Sequence, residues 1–205
     1  MVRIILLFLA LWAVMRPAAA EVITIDPDTF PNFTETDISN AFAGVTLSTG
    51  AGGAVFAANW KTNPDDNVFG GEFAISFSLN WRLNGLGAPV FKASFDHPTD
   101  FVSMLTDPST GSDYSRLQAF DSDGISLGFV SAPHENSVHE LTISHGTADI
   151  AYILAGSTNE FTTTVLQTLQ FNRIPESAAL AFFVFGLAGI GFSRRRAWLL
   201  SSSGP

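Results

Sequence analysis

One pentapeptide of the chain matches the serine motif of hydrolases. Gly124, Ser126 and Gly128 have the Gly-x-Ser-x-Gly spacing of the nucleophile elbow, whose serine sits between a strand and a helix. The residues after Ser126 have the pattern of a strand, and no convincing helix is predicted before residue 174. We therefore predict no catalytic residue and no enzymatic activity, and a secreted hydrolase is the least favoured function.

Three histidines that are close in sequence, His134, His139 and His145, raise the question of a metal site. If residues 138–144 form a strand, His139 and His145 lie on one face of it but about 20 Å apart. Imidazoles that bind the same ion must lie far closer together, because each coordinates the ion directly. We predict surface histidines and no metal centre.

Closely spaced carboxylates favour calcium over a transition metal. The segment Asp121-Ser122-Asp123-Gly124 is similar to the start of a calcium-binding loop, in which carboxylates supply oxygen ligands. The later acidic ligand of an EF-hand is missing, and the same residue types also form solvated turns. Asp121 and Asp123 are the candidate calcium ligands, but a solvated turn without any cofactor is the favoured interpretation.

Aromatic side chains offer another kind of site. The chain has 19 Phe and 4 Trp, most of which are expected in the core. An exposed ring presents a rigid apolar surface on which a sugar can stack. Trp60, which precedes the polar segment 61–67, is the candidate stacking residue.

Charge and composition exclude several classes of protein. The 205 residues include 19 acidic and 10 basic side chains and no Cys, with a formal charge of -9. Nucleic-acid binding needs basic surface, so we expect no nucleic-acid partner. The lack of Cys excludes disulfides, thiolate metal sites and cysteine nucleophiles. Residues 21–174 carry 18 acidic and 5 basic side chains, so this part should repel anionic polymers unless divalent cations bridge them.

Short alternating segments predict the elements that position these residues. The clearest is Glu72–Leu83, where apolar and mostly polar residues alternate as in a half-buried strand. Asp123-Gly124 should close a hairpin through a type I′ turn. About ten strands at short intervals predict an all-β fold, an antiparallel sandwich. The further strands are predicted at residues 44–48, 54–60, 90–95, 101–105, 116–121, 125–131, 138–144, 149–155 and 163–172.

The first twenty residues have the order of a secretory signal. Arg3 precedes the apolar run 4–15, and Ala18–Ala20 provides the small residues of a cleavage site. The apolar run is too short to span a bilayer easily. We predict a signal peptide at residues 1–20 and an exported domain at residues 21–173.

The last thirty-two residues contain three signals in a fixed order. Pro175-Glu176 is followed by the uncharged segment Ala178–Phe192 and then by Arg194, Arg195 and Arg196. As a helix, residues 177–193 reach about 26 Å, slightly less than the hydrocarbon core of a bilayer. Arginines after the segment favour a cytoplasmic end. The sequence predicts a transmembrane helix at 177–193 with the preceding domain on the exported side.

This tail resembles the PEP-CTERM sorting signal of exported bacterial proteins. The resemblance rests on Pro175, Glu176, the short glycine-containing apolar segment and the arginine cluster 194–196. The chain differs at Ser177, where a second proline is usual, and continues to Pro205 after the arginines. The resemblance implies sorting by a membrane-embedded exosortase in a Gram-negative bacterium that makes extracellular polysaccharide, with tail removal near Pro175-Glu176. Residues 91–129 are also similar to jelly-roll modules of such proteins.

These resemblances lead to one favoured function and one alternative. We expect a non-catalytic protein that is anchored in the inner membrane before processing and then lies on the cell surface or outside the cell, associated with exopolysaccharide or biofilm. The alternative is a lectin-like module that binds carbohydrate or calcium. The expected partners are the exosortase, the inner membrane and an extracellular polysaccharide.

Overall fold

The structure, a computed structural model, describes residues 20–31, 36–59, 67–73, 76–78, 81–83, 89–108, 114–133, 138–158 and 164–173. Val22–Arg173 forms one compact unit. Apart from the short 3-10 helix Pro27–Thr29, its regular elements are strands: β1 Glu21–Ile25, β2 Thr36–Asp37, β3 Val45–Thr49, β4 Val55–Asn59, β5 Asn67–Phe73, β6 Ser76–Ser78, β7 Phe91–Thr99, β8 Phe101–Pro108, β9 Tyr114–Phe120, β10 Ser126–Pro133, β11 His139–Ser144, β12 Ile150–Ser157 and β13 Thr164–Arg173.

The strands form three sheets. A four-stranded sheet has the order β1-β13-β8-β11, a five-stranded sheet the order β10-β9-β12-β7-β3, and a second four-stranded sheet the order β2-β4-β5-β6. We call the first two the large sheets and the third, whose strands contain fewer residues in total, the small sheet. The registers determined for neighbouring strands are antiparallel. The predicted all-β antiparallel architecture is therefore confirmed. No helix in the described part of the chain is long and apolar enough to cross a membrane, and the predicted span 177–193 lies outside that part.

Alternation along the strands separates a shared core from two outer surfaces. In β9, Leu117 and Ala119 are buried, whereas Arg116, Gln118 and Phe120, which alternate with them, are partly exposed. Phe95 of β7 and Phe171 of β13 are in ring contact, with their centroids 4.9 Å apart. Because β7 and β13 belong to different sheets, the contact shows that the sheets β1-β13-β8-β11 and β10-β9-β12-β7-β3 pack face to face as a sandwich.

The predicted hairpin at Asp123-Gly124 is present, but its turn is not of type I′. The amide of Gly124 donates to the carbonyl of Asp121 at 3.2 Å, so Ser122 and Asp123 are the central residues. Gly124 follows with φ +79°. This is the three-residue loop in which a left-handed glycine follows a turn. The Asp121 carboxylate favours it by accepting from the amide of Ile125 at 2.8 Å.

The predicted strand Glu72–Leu83 is wrong as a single element. Its first residues belong to β5 and its middle to β6, and the two strands pair antiparallel with Phe73 opposite Ser76. The chain therefore reverses direction between these residues. Alternating hydrophobicity is the same in one long strand and in two short strands of opposite direction, so the pattern could not reveal the reversal.

Trp81 links all three sheets. Its carbonyl accepts hydrogen bonds from the amides of Ser157 at the end of β12 and Thr164 at the start of β13. Its indole N–H donates to the carbonyl of Phe69 in β5 at 2.8 Å. Its ring meets Phe91 of β7 edge to face, with 5.2 Å between centroids. The side chain is fully buried, so these contacts lie in the interior of the protein.

We predict that Gly71→Ala destabilises the fold. A Cβ at Gly71 would lie 2.4 Å from the indole Cη2 of Trp81, which is held in place by its own contacts. Overpacking of this kind costs about 1–3 kcal/mol in the free energy of unfolding, measured by urea denaturation. The control Gly146→Ala, which adds a Cβ in open space, should change it by less than about 0.5 kcal/mol. Equal stability of both variants would contradict the central role of Trp81.

Candidate functional site

The outer surface of the five-stranded sheet carries an unusual set of side chains. Gln118 and Phe120 alternate with the buried residues Leu117 and Ala119 and therefore point outward. Partners in an antiparallel register share a face, so the partners of these two residues also point outward. One row across the sheet is Ser126, Phe120, Tyr152, Ser94 and Thr46, and the next is Phe129, Gln118, Leu154, Lys92 and Ser48. We call Lys92, Arg116, Gln118, Phe120, Phe129 and Tyr152 the aromatic face.

Two rings and a cation form a column on this surface. Phe120 and Tyr152 are direct partners in the register, and their rings stack with centroids 4.8 Å apart and planes 6° from parallel. The Lys92 ammonium nitrogen lies 4.6 Å from the centroid of the Tyr152 ring. Exposed cation–π contacts contribute about 0.5–1 kcal/mol each. The column therefore fixes three side chains that come from β7, β9 and β12.

Phe129 is the most exposed ring of the aromatic face, with 59% of its surface accessible. The guanidinium carbon of Arg116 lies 4.2 Å from the ring centroid. Arg116 is also held by its Nε, which donates to the Ser131 hydroxyl at 3.2 Å. A fixed cation thus covers part of the ring while much of it faces solvent, which is the arrangement of a stacking platform.

A β-bulge is the reason that Phe129 points outward. The register of β10 shifts between Ser126, opposite Phe120, and Gly128, opposite Ala119. Leu127 is the extra residue, and it packs against the core. Without the bulge, strict alternation from Ser126 would turn Phe129 inward. Gly128 has φ +146°, a conformation that residues with a Cβ rarely adopt, so glycine suits this position.

The positive and negative charges on and beside the aromatic face are separated along the strands. In the described part of the chain, neither Lys92 nor Arg116 forms an ion pair with a carboxylate. Asp96 lies two residues beyond Ser94 on β7, and the turn with Asp121 and Asp123 follows Phe120. Among the described residues, the two cations therefore lie at one end of this surface and these three aspartates at the other.

The candidate calcium ligands come together in one turn but are engaged differently. One carboxylate oxygen of Asp121 accepts from the amides of Asp123 at 3.0 Å and Ile125 at 2.8 Å. Asp123 is exposed. Within the described ranges no group of three or more His, Asp or Glu side chains could hold a metal ion. A Cβ on Gly124 would lie 3.5 Å from the Tyr152 hydroxyl, so this turn borders the aromatic face.

The other residues proposed from the sequence do not come together in one site in the described part of the structure. Ser126 belongs to a strand, as predicted, and is the first residue of β10. Its hydroxyl oxygen accepts from the amide nitrogen of Gln118 at 3.1 Å. His139 belongs to β11 in the other large sheet. His145 lies beyond that strand, with its Nδ1 3.0 Å from an Asp149 carboxylate oxygen. His134, Trp60 and the sorting motif at residues 175, 176 and 194–196 lie outside the described residues.

A shallow cavity lies on the outer surface of the sheet β1-β13-β8-β11. Its volume is about 230 Å³, and it is lined by Ser103, Leu105, Glu140, Thr168 and Gln170. The Ser103 hydroxyl donates to the Glu140 carboxylate at 2.7 Å. Glycoside hydrolysis in most families requires two carboxyl groups. Glu140 is the only acidic residue among those that line the cavity, so the cavity lacks this pair.

Sequence reasoning missed Phe129 and the two cations. One signal was available, because Arg116, Gln118 and Phe120 alternate with apolar residues in the predicted strand 116–121. That pattern places a cation, an amide and a ring on one solvent-facing surface. The missing information was which other strands lie beside this one.

Comparisons with known proteins add little. No protein-family model and no curated protein matches the chain. Solved structures that resemble it include the catalytic unit of a thermostable GH87 alpha-1,3-glucanase from Streptomyces thermodiastaticus strain HF3-3, at 7% identity and TM-score 0.32. Others are BiXyn10A CBM1 in its apo form, at 12% and 0.31, and TmCBM61 in complex with beta-1,4-galactotriose, at 14% and 0.32.

These alignments cover 77%, 74% and 71% of this chain, in the same order. They cover 27% of the glucanase unit and 96% of each of the other two structures. The chain thus spans about a quarter of the length of the glucanase unit. TM-scores of this size carry no argument about ligand or activity, which must come from the surface of the protein itself.

We predict that Ser126 is chemically unreactive. Its hydroxyl lies in a strand and accepts a hydrogen bond from Gln118, whereas a nucleophilic serine needs an adjacent base that takes its proton. Treatment of the full chain with a serine-directed fluorophosphonate, followed by peptide mapping, should leave Ser126 unlabelled. Stoichiometric labelling that is lost in Ser126→Ala would instead make a hydrolase the leading function.

Proposed function

We propose that this chain is an exported, non-catalytic protein that binds polysaccharide through the aromatic face. The observation that carries the proposal is the solvent-exposed ring of Phe129, held beside a fixed cation on the surface of a sheet. Sugars present C–H groups on one side and hydroxyl groups at their edges. An exposed ring with nearby amide and cationic donors suits both features.

The architecture supports a jelly-roll assignment for the sandwich. Its first and last strands, β1 and β13, are neighbours, and the chain passes between the two large sheets at several of its connections. The arrays β1-β13-β8-β11 and β10-β9-β12-β7 correspond to the eight strands of a jelly roll, with β3 added at one edge. Jelly rolls include lectin domains, but function must still be argued from the site.

Secretion and sorting complete the proposal. The signal peptide at residues 1–20, the Pro175-Glu176 pair, the apolar segment 177–193 and the arginines 194–196 support export followed by exosortase-type processing. The protein then functions at the cell surface or in the extracellular matrix, where polysaccharide is the available ligand. The inner membrane holds it before processing.

Binding is tested by the loss of the exposed ring. We expect the full chain, solubilised in a mild non-ionic detergent, to bind at least one polysaccharide in a panel of neutral and acidic polymers, with a rise in melting temperature. Phe129→Ala should weaken this binding about tenfold, equivalent to about 1.4 kcal/mol. Its melting temperature without ligand should be nearly unchanged, because the ring is largely exposed.

The matched control is Val22→Ala. Val22 is an apolar side chain of similar exposure, 55%, and it lies on β1 in the other large sheet. Its replacement should leave polysaccharide affinity unchanged. If both variants bind as the wild type does, or if no polymer binds, the aromatic face is not a carbohydrate site.

Sorting is tested by removal of the tail. The hydrophobic core cluster of the described residues runs from Ile25 to Phe171, so a chain that ends at Arg173 keeps every member. We expect the natural host to release this shortened chain into the medium in folded form, with the unfolding transition of the full chain. Intact-mass measurement of the full chain should show cleavage near Pro175-Glu176. Aggregation of the shortened chain would mean that the tail belongs to the core.

A further inference from the structure

Positive charge is concentrated on the aromatic face of an otherwise acidic protein. Residues 21–174 contain five basic side chains against 18 acidic ones, yet two of the five, Lys92 and Arg116, lie on this one surface. Each contacts a ring, at 4.6 and 4.2 Å. Among the described residues, no carboxylate forms an ion pair with either. In a protein with this many carboxylates, the cations would be expected to find acidic partners of their own.

The contacts of the two cations orient them without neutralising them. A ring attracts a cation through its quadrupole and carries no net charge, so the positive charge remains available. Arg116 has five N–H donors, of which Nε binds Ser131. Among the contacts described for Arg116, no other guanidinium N–H group donates a hydrogen bond. A guanidinium fork of this kind matches a carboxylate.

The register gives the spacing of the two cations. Lys92 pairs with Leu154 and Leu154 with Gln118, which is two residues from Arg116. Two strand spacings and two residues along a strand separate their Cα atoms by about 12 Å. Leu154 lies between Lys92 and Gln118, and the exposed ring of Phe129 lies on the far side of Gln118. The surface therefore presents two positive charges along the length of an oligosaccharide.

We propose that the polysaccharide bound by the aromatic face is acidic, with carboxylate-bearing sugars that contact Arg116 and Lys92. This inference rests on the proposed function and names its class of ligand. Arg116 binds one carboxylate as a fork, Lys92 binds another as a point charge, and Phe129 stacks on a sugar ring. Asp96, Asp121 and Asp123, at the opposite end of the face, repel an acidic chain and so limit how it can lie.

The acidic remainder of the protein strengthens this selectivity. An anionic polymer is repelled by most of the surface and attracted at this one place, so electrostatics directs it to the site. A neutral polymer of the same backbone has the same stacking contact but lacks the charge-assisted hydrogen bonds, which are about twice as strong as neutral ones. Affinity for the acidic form should therefore fall with rising salt concentration.

The experiment compares polymers that differ in charge alone. Polygalacturonate, polymannuronate and polyguluronate are immobilised beside their methyl esters, and binding of the full chain in non-ionic detergent with EDTA is measured by biolayer interferometry. We expect at least one uronate polymer to bind at least tenfold more tightly than its ester. Equal affinity for acid and ester, or binding of neutral polymers alone, would overturn the inference and leave the proposed function in place. If no polymer binds in EDTA or in a parallel assay with added calcium, both proposals fail.

Variants show whether the two named cations are responsible. Arg116→Gln and Lys92→Gln should each weaken binding of the acidic polymer about tenfold and binding of the ester by no more than about twofold, because the ester keeps only neutral hydrogen bonds to these groups. Arg116→Lys should recover part of the loss. Arg173→Gln is the control, because Arg173 is an exposed cation at the end of β13 in the other large sheet. If Arg173→Gln weakens binding of the acidic polymer as much as the other two variants do, binding follows net charge alone. If the full chain binds the acidic polymer with calcium but not in EDTA, calcium bridges the two. Either result would overturn the inference.

Discussion

Trp81 is placed between the end of β12, the start of β13 and the middle of β5, and its hydrogen bonds reach all three sheets. The backbone of this residue closes the gap between Ser157 and Thr164, which belong to different halves of the sandwich. The indole adds a bond to Phe69, in the small sheet. A buried donor or acceptor that loses its partner costs about 1–3 kcal/mol. Replacement of the indole would remove the donor to the buried Phe69 carbonyl, in a chain that has no disulfide to hold the sheets together.

The same strands supply the core and the aromatic face, so the two are not independent. Leu117 and Ala119 point inward, and Arg116, Gln118 and Phe120 point outward from the same seven residues of β9. A shift of register by one residue would exchange these sets. Burial of the inner set therefore fixes the outer set in space, and the stacking of Phe120 on Tyr152 follows from correct pairing of β9 with β12.

Local pattern was enough to locate most strands, because alternation and turn residues are properties of adjacent positions. The predicted strands 116–121, 125–131, 138–144, 149–155 and 163–172 match β9 to β13 within two residues at each end. Two features depend on pairing between distant residues and were missed. One is the reversal between Phe73 and Ser76, and the other is the bulge that turns Phe129 outward. The candidate site could not be assembled from sequence because its residues come from β7, β9, β10 and β12.

The bulge in β10 also bears on self-association. This strand is last in the order of its sheet, so one of its edges lacks a neighbouring strand within that sheet. Straight edge strands recruit strands from other molecules, and a bulge counters this because it bends and twists the edge away from a flat pairing geometry. Gly128, with φ +146°, permits the bulge and thereby makes this edge a poor template for a strand from a second molecule.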